Sequence, residues 1–217
     1  MKKFIIVCIV MLICIGTFVS CSGNEEYSII DTVSEGEYTF ELYGNGDTVR
    51  RIVAKKQEKT LCVLQTQGKN FALVDLNFDG HADIRLDNDK KSDHYVCYLF
   101  QPTVESFTHS AMLGEMLNPT WNYDTKRVTS LIRIVEKADT AQEDGKTEYK
   151  EIRATAEWGF ISGQPVQLSE VGVEYFSDTH TYCRYECRYI DGALTRDSAA
   201  DKWYFGLAEL KADGYDW

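Results

Sequence analysis

Residues 179–190, THTYCRYECRYI, impose an extended backbone on this chain. Cys183, Tyr185, Cys187 and Tyr189 fall on one side, and Arg184, Glu186 and Arg188 on the other. A period of two sorts apolar from charged faces only in a β-strand, where successive side chains point in opposite directions. Asp191-Gly192 then reads as the turn that ends it. The same alternation recurs at residues 37–43, 60–65, 71–74 and 149–160, with a denser apolar run at 95–100. Asp124-Thr125-Lys126 reads as a hairpin turn into a strand at 127–135, and residues 136–146 as a long, charged, exposed loop. Only residues 110–117 have helical spacing, for a turn or two. Three prolines and many β-branched and aromatic residues agree with this. There is no fixed-period repeat and no Pro-, Gly- or Ser-rich linker. The expected fold is all-β, a mostly antiparallel sandwich or partly closed barrel with one short helical segment, as a single domain over residues 31–217.

The start of the chain reads as an export signal. Met1, Lys2 and Lys3 precede an apolar run from Phe4 to Phe18 that only Gly16 and Thr17 interrupt. That is shorter than the roughly 20 apolar residues of a membrane-spanning helix. It ends in Phe18-Val19-Ser20-Cys21, close to the pattern cut by lipoprotein peptidases. The expectation is a signal peptide at 1–20, an acylated Cys21, and a polar tether at 21–30. A bacterial envelope lipoprotein follows, anchored to the membrane through its lipid. No aspartate follows Cys21, which favours the outer membrane, on its periplasmic or surface face.

Losing Lys2 and Lys3 takes the formal charge from −11 to about −13. So acidic a body is a poor nucleic-acid binder, because phosphate contacts need clustered Lys and Arg. It suits cations and basic proteins. Four cysteines remain after Cys8, Cys14 and Cys21 are set aside: Cys62, Cys97, Cys183 and Cys187. On an extended strand Cys183 and Cys187 lie about 13 Å apart, beyond the roughly 7 Å that a disulfide spans. Pairing across strands, or none, is left.

Between two strand patterns lies FALVDLNFDGHADIRL, containing D-x-N-x-D-G-x-x-D at residues 75–83. Calcium takes six to eight hard oxygen ligands, and alternate oxygen-bearing residues of a tight loop converge on one point. Asp75, Asn77 and Asp79 supply side-chain oxygens, Gly80 the sharp turn, His81 its backbone carbonyl, and Asp83 a further carboxylate. Leu86 stands where an EF-hand has its bidentate glutamate, and a strand pattern follows. The expectation is therefore a strand–loop–strand Ca2+ site that clips two strands together. Asp87, Asp89 and Asp93 are candidates for a second site, or an ordinary solvated run.

Other constellations weigh less. His180, Cys183 and Cys187 have zinc-like types, but on a strand His180 points away from both cysteines. With 34 acidic residues no carboxylate pair stands out for glycoside hydrolysis, and no histidine sits in a nucleophile motif. Trp121, Trp158, Trp203 and Trp217 fit a core better than a sugar surface. The turn Ser162-Gly163-Gln164-Pro165 is a candidate plug for a partner's cleft.

The loop looks like the FG-GAP-like calcium loops of bacterial surface proteins. After it come YVCYLFQP at 95–102, Phe107, residues 113–117, Asn118-Pro119, Trp121-Asn122-Tyr123-Asp124 and residues 126–130. This succession resembles a family of small periplasmic lipoproteins with one such loop. One branch of that family, the resemblance implies, inhibits peptidoglycan-cleaving toxins and protects bacteria that kill through a type IV secretion system. Its loop positions carry over to Asp75, Asn77, Asp79 and Asp83. The expected role is a binding protein, not an enzyme, that inhibits a basic lysozyme-type protein. The alternative is a structural or glycan-binding lipoprotein.

Overall fold

The computed structural model describes residues 27–141, 147–215 and 217, with side chains at 137–148 left out of the description. The signal and lipid-anchor reading at Cys21 lies outside the described residues. The fold is all-β: two seven-stranded antiparallel sheets, both open, with two very short helices.

The first sheet is a meander in chain order: β1 (Ser28–Glu35), β2 (Tyr38–Asn45), β3 (Thr48–Lys56), β4 (Lys59–Val74), β5 (Asp83–Asn88), β6 (Tyr95–Gln101) and β7 (Ser106–His109). Strand β1 thus begins inside the stretch read as tether. Helix α1 (Ala111–Glu115) leads to the second sheet. That sheet comprises β8 (Leu117–Asn122), β9 (Arg127–Ala141), β10 (Thr147–Ile161), β11 (Gln164–Phe176), β12 (Thr181–Ile190), β13 (Ala193–Arg196) and β14 (Lys202–Tyr204). Its order is β13-β12-β11-β10-β9-β8, with β14 also paired to β12. Helix α2 (Leu207–Ala212) follows.

Turn chemistry explains the tight returns. Ser162 and Gly163 join β10 to β11 with φ of 52° and 75°, and Asp191 and Gly192 join β12 to β13 with 52° and 90°. Two consecutive left-handed residues make the turn whose twist matches paired strands. The loop expected at 136–146 is shorter than its charge implied. β9 runs on to Ala141, and Lys137 and Glu136 pair with Tyr149 and Lys150. Cross-strand pairing overrides composition there, because backbone groups of a long hairpin find partners whatever the side chains are. The two expected strands at 60–65 and 71–74 are one strand, with a register shift between Lys69 and Ala72 and a left-handed Asn70.

The first sheet curls round its own core. Phe40, Leu42, Ile52, Ala54, Ile84, Leu86, Tyr98, Phe100 and Phe107 form one cluster, with Ile30 and Val33 of β1 and Leu64 of β4 packed against it. Alternate residues of β6 face the other way. Cys97 and Leu99 join Leu76, Leu113, Met116 and Val128, flanked by Trp121, Trp158 and Phe160. This second cluster holds the two sheets together. Full burial of each Leu or Val here contributes about 1.5–3 kcal/mol. Trp203, by contrast, is exposed.

Gly172, in the middle of β11, sets how closely the second sheet packs. A Cβ there would lie 2.5 Å from the Ala154 Cβ and 2.8 Å from the Tyr185 hydroxyl. Gly172→Ala is expected to destabilise the protein by about 1–3 kcal/mol through overpacking. Urea denaturation of the variant, with an unchanged midpoint as the contrary result, checks it.

Candidate metal loop and its surroundings

The loop at 75–82 joins β4 to β5, and Asp83, the first residue of β5, is its strut. Asp83 is wholly buried. One carboxylate oxygen accepts from the Leu76 N–H and the other from the Phe100 N–H, both at 2.8 Å. Leu76 is held on its other side too, since Trp121 Nε1 donates to its carbonyl at 3.1 Å. One end of the loop is thereby fixed to β6 and to β8 of the second sheet.

The outer residues fold over the loop's own backbone. Asp75 accepts from the N–H groups of Asp79, at 3.1 Å, and Gly80, at 2.9 Å. Asn77 Oδ1 accepts from the Asp79 N–H at 3.2 Å, and Asp79 accepts from the His81 N–H at 2.9 Å. Asn77 Nδ2 donates to the other Asp79 oxygen at 2.9 Å. Gly80 has φ +88°, a conformation that glycine adopts without steric cost. Asp75, Asn77 and Asp79 are brought together; Asp83 is turned inward, and the His81 ring lies against Phe100.

No Lys or Arg pairs with Asp75, Asp79 or Asp83 among the described residues. Burial pushes the Asp83 carboxyl up to about 6, the Phe100 and Leu76 N–H groups pull it down, and the charges of Asp79 and Asp75 push it up again. The donor set is hard oxygen with uncompensated charge, which suits a calcium ion. Asp75, Asn77 and Asp79 are the residues that would hold it. No group of three or more His, Cys, Asp and Glu is arranged to hold a metal among the described residues.

The other sequence candidates are dispersed. Asp87 accepts from Asn70 Nδ2 at 2.7 Å and Asp89 from Gln67 Nε2 at 3.0 Å, while Asp93 lies beside Asn118 on another face. His180 Nδ1 bonds the Tyr175 hydroxyl at 2.9 Å. Cys62, Cys97, Cys183 and Cys187 are all free thiols. Burial pushes the Cys97 thiol up to about 12 and raises Cys183 and Cys187 as well, so all three stay protonated at neutral pH.

Sequence reasoning had no means of seeing what surrounds the loop. Phe78, left-handed at φ 61°, packs edge-to-face on Tyr123 at 5.4 Å and on Phe160 at 5.6 Å. The Ser162–Gly163 turn sits directly alongside, where a Cβ on Gly163 would come 3.9 Å from Asn77 Nδ2. The acidic loop, the Tyr123–Lys126 turn and the β10–β11 turn therefore share one edge of the molecule. Their separation in sequence, roughly 45 and 85 residues from the loop, hides this from any local pattern.

Comparison with known proteins adds a fold likeness. No protein-family model matches the sequence, and no curated protein is similar to it. A solved Xanthomonas protein, described as type IV secretion system related, has the same overall fold at TM-score 0.52 and 13% identity. The match covers 79% of this chain and 98% of that one.

The strut can be tested directly. Asp83→Ala leaves two buried N–H donors without an acceptor and is expected to cost about 2–4 kcal/mol. The ordinary carboxyl value is 3.8 and the folded one about 6. The folded chain therefore holds an extra proton between those values, and in metal-free buffer Asp83's contribution to stability falls as pH rises through that window. Asp83→Asn should flatten this slope. Urea titrations of both variants and the parent across the window read the effect, and parallel profiles for parent and Asp83→Asn would contradict it.

Proposed function

We propose that this chain is a calcium-binding lipoprotein of the bacterial envelope that inhibits a peptidoglycan-cleaving enzyme. The observation that carries the reading is the shared edge just described. It unites uncompensated carboxylates at Asp75 and Asp79 with an aromatic step at Phe78 and Tyr123 and a protruding two-residue turn at Ser162–Gly163. An acidic rim steers a basic enzyme into contact, and a narrow turn is the right shape to enter a substrate cleft. The ion would be held by Asp75, Asn77 and Asp79 with the His81 carbonyl, leaving Asp83 as the strut behind them. Bound there, it would neutralise the loop and stiffen the edge without taking part in any reaction. The likeness to a protein related to a type IV secretion system is consistent with this role.

A glycan-binding role is the second reading, and one feature favours it. An open groove of about 630 Å3 runs over β9, β10 and β11, lined by Leu131, Arg133, Arg153 and Tyr215. Planar guanidinium groups and an aromatic ring are suited to sugar rings and hydroxyls.

Two measurements decide. Calcium at a hundredfold over its dissociation constant should stabilise the protein by about 2.7 kcal/mol, and the double variant Asp75→Ala, Asp79→Ala should lose that response in a thermal melt. Hydrolysis of labelled peptidoglycan by a panel of basic muramidases should slow when the protein is added. Ser162→Arg and Tyr123→Ala should each weaken that inhibition about tenfold while leaving the melt in place. Retention on insoluble peptidoglycan with no slowing of any enzyme would select the glycan reading and remove the inhibitor.

A further inference from the structure

The first sheet curls round its core without closing, because β1 and β7 form its two edges and do not pair with one another. A cavity of about 280 Å3 opens between these edges, with Glu35 of β1, Phe107 of β7 and His81 and Ala82 of the β4–β5 loop in its lining. Mouths of curled sheets are favoured ligand sites, since strands on opposite sides present side chains to one enclosed space. Phe40, Phe100 and Phe107 line it and are 2%, 7% and 7% exposed. Tyr38 and Pro102 complete the apolar wall. Tyr38 packs edge-to-face on Phe100 and Phe40 on Phe107, each at 5.7 Å, so the rings brace one another and the wall is preformed.

The mouth is acidic. Glu35 and Glu105 line it, and Glu37 stands next to them. Among the described residues one ammonium pairs with these carboxylates, Lys56, at 2.6 Å from Glu105 and 3.4 Å from Glu37. Its Nζ also lies 5.5 Å from the centre of the Tyr38 ring, so the aromatic wall already attracts a cation. The Glu35 carboxylate has no ion pair and no side-chain hydrogen bond among the described residues.

We propose that this cavity binds a small organic cation with an apolar body, an arylalkyl- or alkylammonium. Its hydrocarbon part is buried against Phe40, Phe100 and Phe107, and its ammonium is paired with Glu35 at the mouth. The rings supply affinity by area removed from water. Glu35 supplies the sign of charge, because an anionic analogue would meet three carboxylates. Neither Asp75 nor Asp79 lines this cavity; His81 and Ala82, at the end of the loop, form part of its wall.

Titration of the full chain with phenethylammonium, 3-phenylpropionate and phenethyl alcohol, followed by NMR shifts of ring protons, tests this. The expected result is millimolar or tighter binding of the ammonium, shifting resonances of Tyr38, His81 and Phe107 but not those of Trp203. Affinity for the ammonium should exceed that for the carboxylate by at least about tenfold, with the alcohol between them. Glu35 is exposed on an edge strand, so its variants should fold, and circular dichroism verifies that. Glu35→Gln should weaken the ammonium several-fold and Glu35→Lys should remove its advantage over the carboxylate. Equal affinities for the three probes, no shifts at millimolar probe, or an undiminished preference in Glu35→Gln would each overturn the proposal.

Discussion

One buried carboxylate organises the loop between β4 and β5 and ties it to both sheets. Asp83 sits where β4 hands over to β5 and gives both its oxygens to backbone donors, Leu76 N–H and Phe100 N–H. Without it the Leu76 and Phe100 N–H groups would be unpaired, and only apolar packing of Leu76 on Cys97 and Leu99 would tie the chain leaving β4 to β6. With it, Leu76 becomes a fixed point that Trp121 of the second sheet can also reach. An unsatisfied buried donor costs about 1–3 kcal/mol, so this small network is worth more than its few atoms suggest. It also limits the freedom of Asp75, Asn77 and Asp79, because the loop is anchored at Asp83 and turned at Gly80.

The second sheet handles a buried carboxylate differently. Glu174, 5% exposed, is met by Lys150 Nζ at 2.6 Å and Arg196 Nη1 at 2.9 Å. Arg196 reaches Asp201 as well and lies over the Tyr185 ring. That charge is neutralised within the protein, and removing one partner would leave the other stranded. The contrast is one of charge. Glu174 is met by two cationic side chains, whereas the carboxylates of the loop are matched by backbone N–H groups and the Asn77 amide. No Lys or Arg among the described residues pairs with Asp75, Asp79 or Asp83, which is the feature on which the calcium proposal rests.

Much of the β architecture was legible because it is local. Most of the alternation at 179–190 is strand β12, which starts at Thr181 and buries Cys183 and Tyr185 on the expected face but also Tyr182 on the other, and the glycine-bearing turns at Gly163 and Gly192 fall where the chain reverses. The helical spacing at 110–117 is α1, although only Ala111–Glu115 is helical. What escaped had no local signature. Gln57 and Glu58 turn β3 into β4 with φ of 48° and 69° although neither is a glycine. The pairing partner across the turn imposes that conformation. Helix α2 was missed because six residues, Leu207–Ala212, offer too short a period to see.

For the candidate site the division is similar. Residue types and spacing alone determined that Asp75, Asn77 and Asp79 would share one tight turn between two strands, because ligands at alternate positions need no long-range contact to converge. Composition determined an acidic, all-β chain. Only the tertiary structure decided that Asp83 faces inward, that Tyr123 and the Ser162–Gly163 turn stand beside the loop, and that the first sheet curls without closing. Those outcomes depend on which distant strands pack together. Packing is settled by the shapes of Leu76, Leu99, Leu113 and Val128 meeting across the two sheets, and no stretch of sequence holds that information by itself.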